Sequence, residues 1–293
     1  MILTCQSFAK INLFLKITGK RSDGYHELST LMTQINLHDD LCMDFDSSGI
    51  SVVCDAPGVP EDDSNLAHRA ADLFFDRAGS VKAITSSQRV QIRLHKRIPA
   101  GGGLGGGSSN AATVLMALNS HFGSPFSKKE LMAMGLELGT DVPFFIFGRA
   151  ALATGVGERL EPVPDLRPYH LVLCDPGVPS CTASVYKNMD FRLTLEPEYN
   201  KNTGLNVLIR EENFDIRSLM HNDLEAPACR LYPEIRDVKE EMGAPLCADV
   251  YMTGSGSSLF ALFSRREDAM TGYQKLLDAW RHTGKRVFFS SFR

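Results

Sequence analysis

Six of the seven residues from Gly101 to Gly107 are glycine, and no other feature restricts the fold of this chain as strongly. Glycine gives up more backbone freedom on folding than any other residue, so a run this dense marks a place where the backbone must turn sharply or approach something closely. Upstream, Val90, Ile92 and Leu94 alternate with Gln91, Arg93 and His95, which predicts a half-buried strand. Downstream, apolar residues recur at helical spacing from Ala111 to Leu118, with Gly123 as a stop. A glycine loop between a strand and a helix start offers bare N–H groups at the positive end of the helix dipole, which suits a phosphate. Ser108 and Ser109 are expected to cap that helix, with one hydroxyl in reach of Mg²⁺ or a phosphate oxygen. A Walker loop would carry Lys where this chain has Gly107. A Rossmann loop would be followed by a ribose-binding acid, and none occurs between Gly107 and Lys129.

The opening segment reads as a strand, with Ile11, Leu13, Leu15 and Ile17 on one face and Lys10 and Asn12 side by side on the other. After a turn at Arg21-Ser22-Asp23-Gly24, strands are expected near 28–37, 41–46 and 50–54, the first two parted by a turn at His38-Asp39-Asp40. Ser64 is the expected N-cap of a helix ending at Gly79, and Ser127 with Glu130 forms a capping box for a helix ending near Gly139. A short strand follows residue 148, and three prolines between Glu158 and Pro168 mark a domain boundary. The second half interleaves strands near 169–174, 248–252, 258–263 and 286–292 with helices near 182–189, 233–242 and 266–282. The fold class is therefore α+β, in two domains, 1–157 and 158–293, as a prior of about 150 residues per domain allows.

Asp141 stands between the helix stop at Gly139 and the apolar Val142-Pro143-Phe144-Phe145. A carboxylate in that setting is partly desolvated unless it is partnered, and Lys10 is the candidate partner. Phosphoryl transfer to an alcohol needs phosphate positioning, charge neutralisation and often an acceptor for the hydroxyl proton. The glycine loop, Lys10 and Asp141 supply residue types for those three tasks.

Composition narrows the classes further. Lys and Arg number 31 against 35 Asp and Glu, a net charge of −4, so no basic excess drives nucleic-acid or membrane-surface binding. Seven scattered cysteines without a CxxC pair predict reduced thiols, with neither a zinc site nor a disulfide framework. No apolar run approaches the roughly 18 residues of a membrane span, and the first residues carry no leader pattern. A bacterial cytoplasmic location is expected.

With these residues in view, the chain resembles the GHMP kinases, the family of galactokinase, homoserine kinase and mevalonate kinase. The resemblance rests on Ala9-Lys10-Ile11-Asn12-Leu13, on Arg21 to Leu28, on the 99–110 loop, on Asp141-Val142-Pro143-Phe144-Phe145, on Asn222-Asp223-Leu224-Glu225 and on Thr253-Gly254-Ser255-Gly256-Ser257. It implies a two-domain fold: an N-terminal ATP-binding domain like the second domain of ribosomal protein S5, and a C-terminal ferredoxin-like α/β sandwich. It implies ATP with Mg²⁺, lying along Pro99, Ala100, Gly101, Gly102, Gly103, Leu104, Gly105, Gly106, Gly107, Ser108, Ser109 and Asn110, with Asn65 and Lys96 near the adenine. Asp141 is the implied general base and Lys10 its electrostatic support.

The segment from Arg21 to Leu28 narrows the implied acceptor to 4-diphosphocytidyl-2-C-methyl-D-erythritol, phosphorylated on its 2-hydroxyl in the non-mevalonate isoprenoid pathway. Tyr25 and His26 match the cytidine site of that branch. A Tyr ring offers a stacking face, and a neutral His offers one donor and one acceptor. Tyr186 is the implied aromatic on the other side of the base, Asn12 a substrate contact, and Gly254, Ser255 and Gly256 a turn against the diphosphate or the ATP phosphates. The expected partner is a small molecule, with neither nucleic acid nor membrane, and the chain is a monomer or homodimer. Two other readings stay open: another small-alcohol kinase of the same family, and a nucleotide sensor without catalysis.

Overall fold

The structure is a computed structural model and describes residues 1–47, 49–79, 89–164, 166–189 and 214–293. In chain order its elements are β1 (Ile2–Lys20), β2 (His26–Ser47), β3 (Ser51–Cys54), α1 (Leu66–Ala78), β4 (Arg89–His95), α2 (Gly106–His121), α3 (Lys128–Leu138), α4 (Val142–Phe147), β5 (Ala151–Gly155), β6 (Arg159–Pro162) and β7 (His170–Asp175). There follow α5 (Thr182–Lys187), β8 (His221–Asn222), α6 (Glu225–Leu231), α7 (Pro233–Leu246), β9 (Tyr251–Met252), β10 (Leu259–Phe263), α8 (Arg266–Ala279) and β11 (Arg286–Ser291).

Two compact units emerge, each assembled from separated stretches of sequence. The first holds Met1–Ala9, His38–Ala100 and Gly105–Arg149; the second holds Lys10–Leu37, Gly101–Leu104 and Ala150–Arg293.

In the first unit β4 lies between β3, which pairs parallel to it, and residues 40–47 of β2, which pair antiparallel with a register shift after Asp44. Alternation along β4 buries Val90, Ile92 and Leu94. Helices α1 and α4 pack on α2, and α2 is covered around most of its girth: Ala111, Ala112, Val114, Leu115 and Leu118 are all fully buried. A helix apolar on every side belongs in the interior, and this one thereby fixes the glycine loop from which it springs. The Ser127–Glu130 capping box opens α3 as expected.

In the second unit, residues 28–32 of β2 pair antiparallel with β5, which also pairs with β6, and β8 pairs parallel with β1 at Phe14 and Leu15. A separate four-stranded antiparallel sheet runs β11-β7-β10-β9. Taken as strands one to four of that sheet in chain order, the arrangement is 4-1-3-2 with helices at both crossovers, the ferredoxin-like pattern. Its core gathers Val172, Cys174, Leu259 and Ala261 from the sheet with Ile235, Val238 and Met242 of α7, Ala269 and Leu276 of α8, and Trp280 at the C-cap of α8.

Several expectations change. The strands expected at 28–37 and 41–46 are one strand, and no turn forms at His38-Asp39-Asp40. Asp39 sits inside it with a fully buried carboxylate that collects four donors, which outweighs the turn preference of the tripeptide. Asn65, not Ser64, is the N-cap of α1: its Oδ1 accepts from Ala67 N at 2.9 Å, while the Ser64 N–H and hydroxyl both donate to Asp62. Ser108 and Ser109 do not cap α2. The N-cap is Gly105 in the left-handed region at φ 69°, and the helix begins inside the glycine run. The strand expected over 248–252 shrinks to Tyr251–Met252, α7 runs on to Leu246, and α6 arises where no helix was expected. All seven cysteines are free.

Candidate active site

In the first unit, the chain leaves β4 at His95 and is held at once by Asp39. One carboxylate oxygen accepts from Arg97 N at 2.8 Å and Ile98 N at 2.9 Å. The other accepts from the Lys96 ammonium and from Asn110 Nδ2 at 2.9 Å. Asn110 Oδ1 accepts from Lys96 Nζ at 3.0 Å, and Asn110 Nδ2 also donates to Ser7 Oγ at 3.0 Å. Ser7 in turn donates to Ser109 Oγ at 2.7 Å. Asp39 is 0% exposed, so this charge survives burial only because its partners surround it. The network joins the entry of the glycine loop to the first turn of α2. Lys96 therefore lies inside the protein, its side chain 6% exposed and engaged with Asp39.

The first helical bond of α2 runs from Ser109 N to Gly105 O at 2.8 Å, so the amides of Gly106, Gly107 and Ser108 precede it. No acidic residue lies in this first turn. Gly107 is exposed and Ser108 half-buried, which leaves that end of the helix open to a ligand. A Cβ on Gly106 would lie 3.0 Å from Ile98 Cγ2 and 3.2 Å from Lys96 Nζ, so glycine lets the helix start lie against Lys96 and Ile98.

Asp141 occupies the N-cap position of α4 and is half-buried, and its side chain makes no capping bond. Ser108 Oγ would be 3.9 Å from a Cβ built on Gly139. The phosphate-type loop and the approach to Asp141 thus meet in one unit. Asn65, also in this unit, spends its amide on α1 and on Pro60 O, and is buried. Pro99 is buried and Ala100 exposed.

In the second unit, Lys10 and Asn12 share a face of β1, as the alternation predicts, but that face is buried. They are 4% and 5% exposed. Lys10 Nζ donates to Asn12 Oδ1 at 2.7 Å, and Asn12 Nδ2 donates to Thr30 Oγ1 at 2.8 Å. Asn12 N donates to Thr253 Oγ1 at 3.0 Å. The turn after β9 presses on this pair: a Cβ on Gly254 would sit 3.3 Å from Lys10 Nζ and 3.4 Å from Asn12 Oδ1. The same turn meets the first half of the glycine run, where Ser258 N donates to Gly102 O at 3.2 Å and Lys10 N to Leu104 O at 3.0 Å. Ser255 is tied to the start of α5, its hydroxyl 2.8 Å from Thr182 Oγ1 and its carbonyl accepting from Ser180 Oγ.

At the other end of β1, the Arg21–Tyr25 turn is built on Asp23, which pairs with Arg21 at 2.9 Å and accepts from Tyr25 N at 3.1 Å. Tyr25 is 59% exposed. His26 stacks on Tyr186 of α5, ring centroids 5.0 Å apart, so the face of Tyr186 meets His26 and not Tyr25. Burial first, and the Lys20 charge second, lower the His26 pKa. The ring is therefore neutral near pH 7, with one donor and one acceptor nitrogen.

Asp39 and Thr30 are residues that sequence reasoning missed, and Thr253 entered only as part of a motif, with no contact assigned to it. Each is an ordinary polar residue until its distant partner is known. Among the described residues no group of three or more His, Cys, Asp or Glu side chains is gathered to hold a metal ion. No helix among them is long and apolar enough to cross a membrane.

Gly103 gives the clearest test of the loop. Its φ is 76°, and a Cβ there would lie 2.3 Å from Thr253 O. Gly101 has a similar φ of 71° with nothing within 4 Å. Gly101→Ala should cost about 1–2 kcal/mol for the left-handed backbone alone. Gly103→Ala should cost a further ~1–3 kcal/mol for the clash. Urea midpoints of the two variants check this, and equal losses would mean the turn does not press on the loop.

The family model for the GHMP kinases N terminal domain matches residues 65–149, and that for GHMP kinases C terminal matches 209–282. The chain is 39% identical over 269 residues to a 4-diphosphocytidyl-2-C-methyl-D-erythritol kinase of Syntrophotalea carbinolica, covering 92% of each. A crystal structure of a 4-(cytidine 5'-diphospho)-2C-methyl-D-erythritol kinase superposes with TM-score 0.81 at 37% identity, covering 99% of each chain. A homoserine kinase from Cytophaga hutchinsonii superposes with TM-score 0.67 at 17% identity, over 99% of this chain and 94% of that one, a likeness of fold alone.

Proposed function

The chain belongs to the GHMP kinases and, within them, to the 4-diphosphocytidyl-2-C-methyl-D-erythritol kinase family, and from that premise we propose that it phosphorylates the 2-hydroxyl of 4-diphosphocytidyl-2-C-methyl-D-erythritol with ATP. The products are ADP and the 2-phosphate, in the non-mevalonate route to isoprenoids. The observation that carries the reading is the start of α2: an open, acid-free helix N-terminus made of glycine, with the approach to Asp141 beside its Ser108.

In this reading the first-turn amides of Gly106, Gly107 and Ser108 receive phosphate oxygens, as the helix dipole and the bare backbone favour. Mg²⁺, when bound, would neutralise charge on the ATP phosphates, and the Ser108 hydroxyl would help to hold it. Asp141 accepts the proton of the 2-hydroxyl as its oxygen bonds to the γ-phosphorus and the bond to the β-phosphate oxygen breaks. Lys10 offsets negative charge, and Asn12 fixes the Lys10 ammonium through its Oδ1. Asn65 and Lys96 shape the adenine side of the site through the elements they anchor. The neutral His26 reads the cytosine edge, with Tyr25 and Tyr186 supplying aromatic faces and Gly254, Ser255 and Gly256 facing the diphosphate. In sequence, residues 1–157 carry the nucleotide loop and the base, and 158–293 complete the acceptor side.

ADP release with MgATP over a panel of acceptors tests the reading. The panel holds 4-diphosphocytidyl-methylerythritol, methylerythritol phosphate, mevalonate, homoserine and galactose. Turnover with the cytidylated acceptor alone is the expected result. Turnover with mevalonate or homoserine instead would refute the roles of Tyr25, His26 and Tyr186, and ATP binding without any turnover would favour the sensor.

A further inference from the structure

Asn222-Asp223-Leu224-Glu225 carries part of the family resemblance, yet no step of the reaction uses it. The structure shows what it touches. Asp223 grips β1: its Oδ2 accepts from Ile17 N at 2.7 Å, and its own N–H donates to Leu15 O at 3.0 Å. Asn222 and Glu225 grip the turn after β9. Asn222 Nδ2 donates to Met252 O and to Gly254 O, each at 2.8 Å. Glu225 Oε2 accepts from Met252 N at 3.1 Å, while its Oε1 pairs with Lys239. The tetrapeptide is a brace between the strand that bears Lys10 and Asn12 and the turn that leans on them.

Asn222 is the critical member. Both hydrogens of its amide are used on carbonyls and its Oδ1 accepts from Leu224 N at 3.0 Å, which fixes the orientation of the group. Gly254, one of its two targets, is the residue on which a Cβ would lie 3.3 Å from Lys10 Nζ and 3.4 Å from Asn12 Oδ1. We propose that Asn222 is a positioning residue for phosphoryl transfer, holding the Thr253–Gly254 turn so that the Lys10 ammonium and the Asn12 carbonyl keep their alignment. The proposal rests on the kinase reading for the role of Lys10, and on the hydrogen bonds alone for the role of Asn222.

Asn222→Asp keeps the shape but sets a carboxylate oxygen against two carbonyl oxygens; Asn222→Ala removes the donors and serves if the Asp variant fails to fold. With the wild-type protein's acceptor, kcat is expected to fall by about tenfold to 10²-fold, since a displacement near 1 Å far from the chemistry can cost that much. Affinity for cytidine, which lacks the diphosphate, should stay within about twofold, because the amide of Asn222 is spent on Met252 O and Gly254 O and His26 stacks on Tyr186. In a Lys10→Met background the same substitution should cost less than about threefold, since residues that act as a unit are not additive. Amide hydrogen exchange in the absence of any acceptor should quicken in residues 8–14 and 250–258 and nowhere else.

Additive losses with Lys10→Met, unchanged exchange in those two segments, or faster exchange throughout the chain would each overturn the proposal. A wild-type protein that turned over no acceptor would refute the kinase reading, and the exchange pattern would then decide the role of Asn222 alone.

Discussion

Asp141→Asn folds as the parent does and loses on the order of 10²–10⁴ in turnover, the usual contribution of a positioned general base. The substitution removes no capping bond of α4, which begins with Pro143 in its first turn and takes none from the Asp141 side chain. The amide keeps the size and polarity of the carboxyl but cannot take a proton from the acceptor hydroxyl. MgATP affinity should change by less than about threefold, since the α2 amides are untouched by an interaction confined to the proton acceptor. The measurement is kcat at saturating MgATP and acceptor, with a thermal melt alongside. A loss below about tenfold with an unchanged melt would reduce Asp141 to an orienting residue.

Asp39→Ala is expected to be the most destabilising single change in the first unit. It leaves the Lys96 ammonium buried without its carboxylate, and it strands Arg97 N, Ile98 N and one Asn110 donor at once. Breaking a buried pair from one side typically costs about 3–5 kcal/mol. Urea unfolding of the first unit reads that loss directly. The partner change Lys96→Met, made together with Asp39→Ala, should recover a good part of it, because an apolar replacement of both members removes the stranded charge. A single-variant loss under about 1 kcal/mol, the value of an exposed pair, would show that water reaches the site and that the network does not hold the loop. Should Asp39→Ala fail to accumulate, Asp39→Asn tests the same point, since it turns one acceptor oxygen into a donor group facing other donors.

What the sequence disclosed was local chemistry. The strand before the glycine run and the helix after it, the Ser127–Glu130 box and the Arg21–Gly24 turn all formed as their residue types require. What it concealed depends on partners far along the chain. Asp39 reads as a turn residue because His-Asp-Asp favours turns, and only Lys96, 57 residues away, makes it a strand residue with a buried charge. Lys10 and Asn12 read only as the polar face of a strand because period-2 alternation does not say what covers each side; Thr253, 241 residues from Asn12, is one of the covers. Ser108 and Ser109 read as caps by type, but Gly105 can enter the left-handed region and so starts the helix earlier than a hydroxyl would. Helix α6 escaped because Pro227 and Cys229 blur its period. Asn222 was visible as a motif and silent as to purpose, since its targets are 30 and 32 residues further on.

The interleaved construction of the second unit bears on how the polypeptide is made. Asn36 Nδ2 bonds to Ser291 Oγ and Leu37 N to Ser290 Oγ, across 255 and 253 positions. Strand β1 likewise waits for β8 at 221–222. Closing loops of that length comes late, because the entropy must be met before the contact rewards it. Residues 28–32 meet β5 once 151–155 emerge, whereas Phe14, Leu15, Asn36 and Leu37 wait for 221–222 and 290–291, roughly ten seconds or more for a ribosome moving at about 5–20 residues per second. During that interval β1 and β2, which pair with each other, keep the outer edge of β1 and the partners of Asn36 and Leu37 unmet, which makes this stretch of the nascent chain the one most in need of a chaperone's cover.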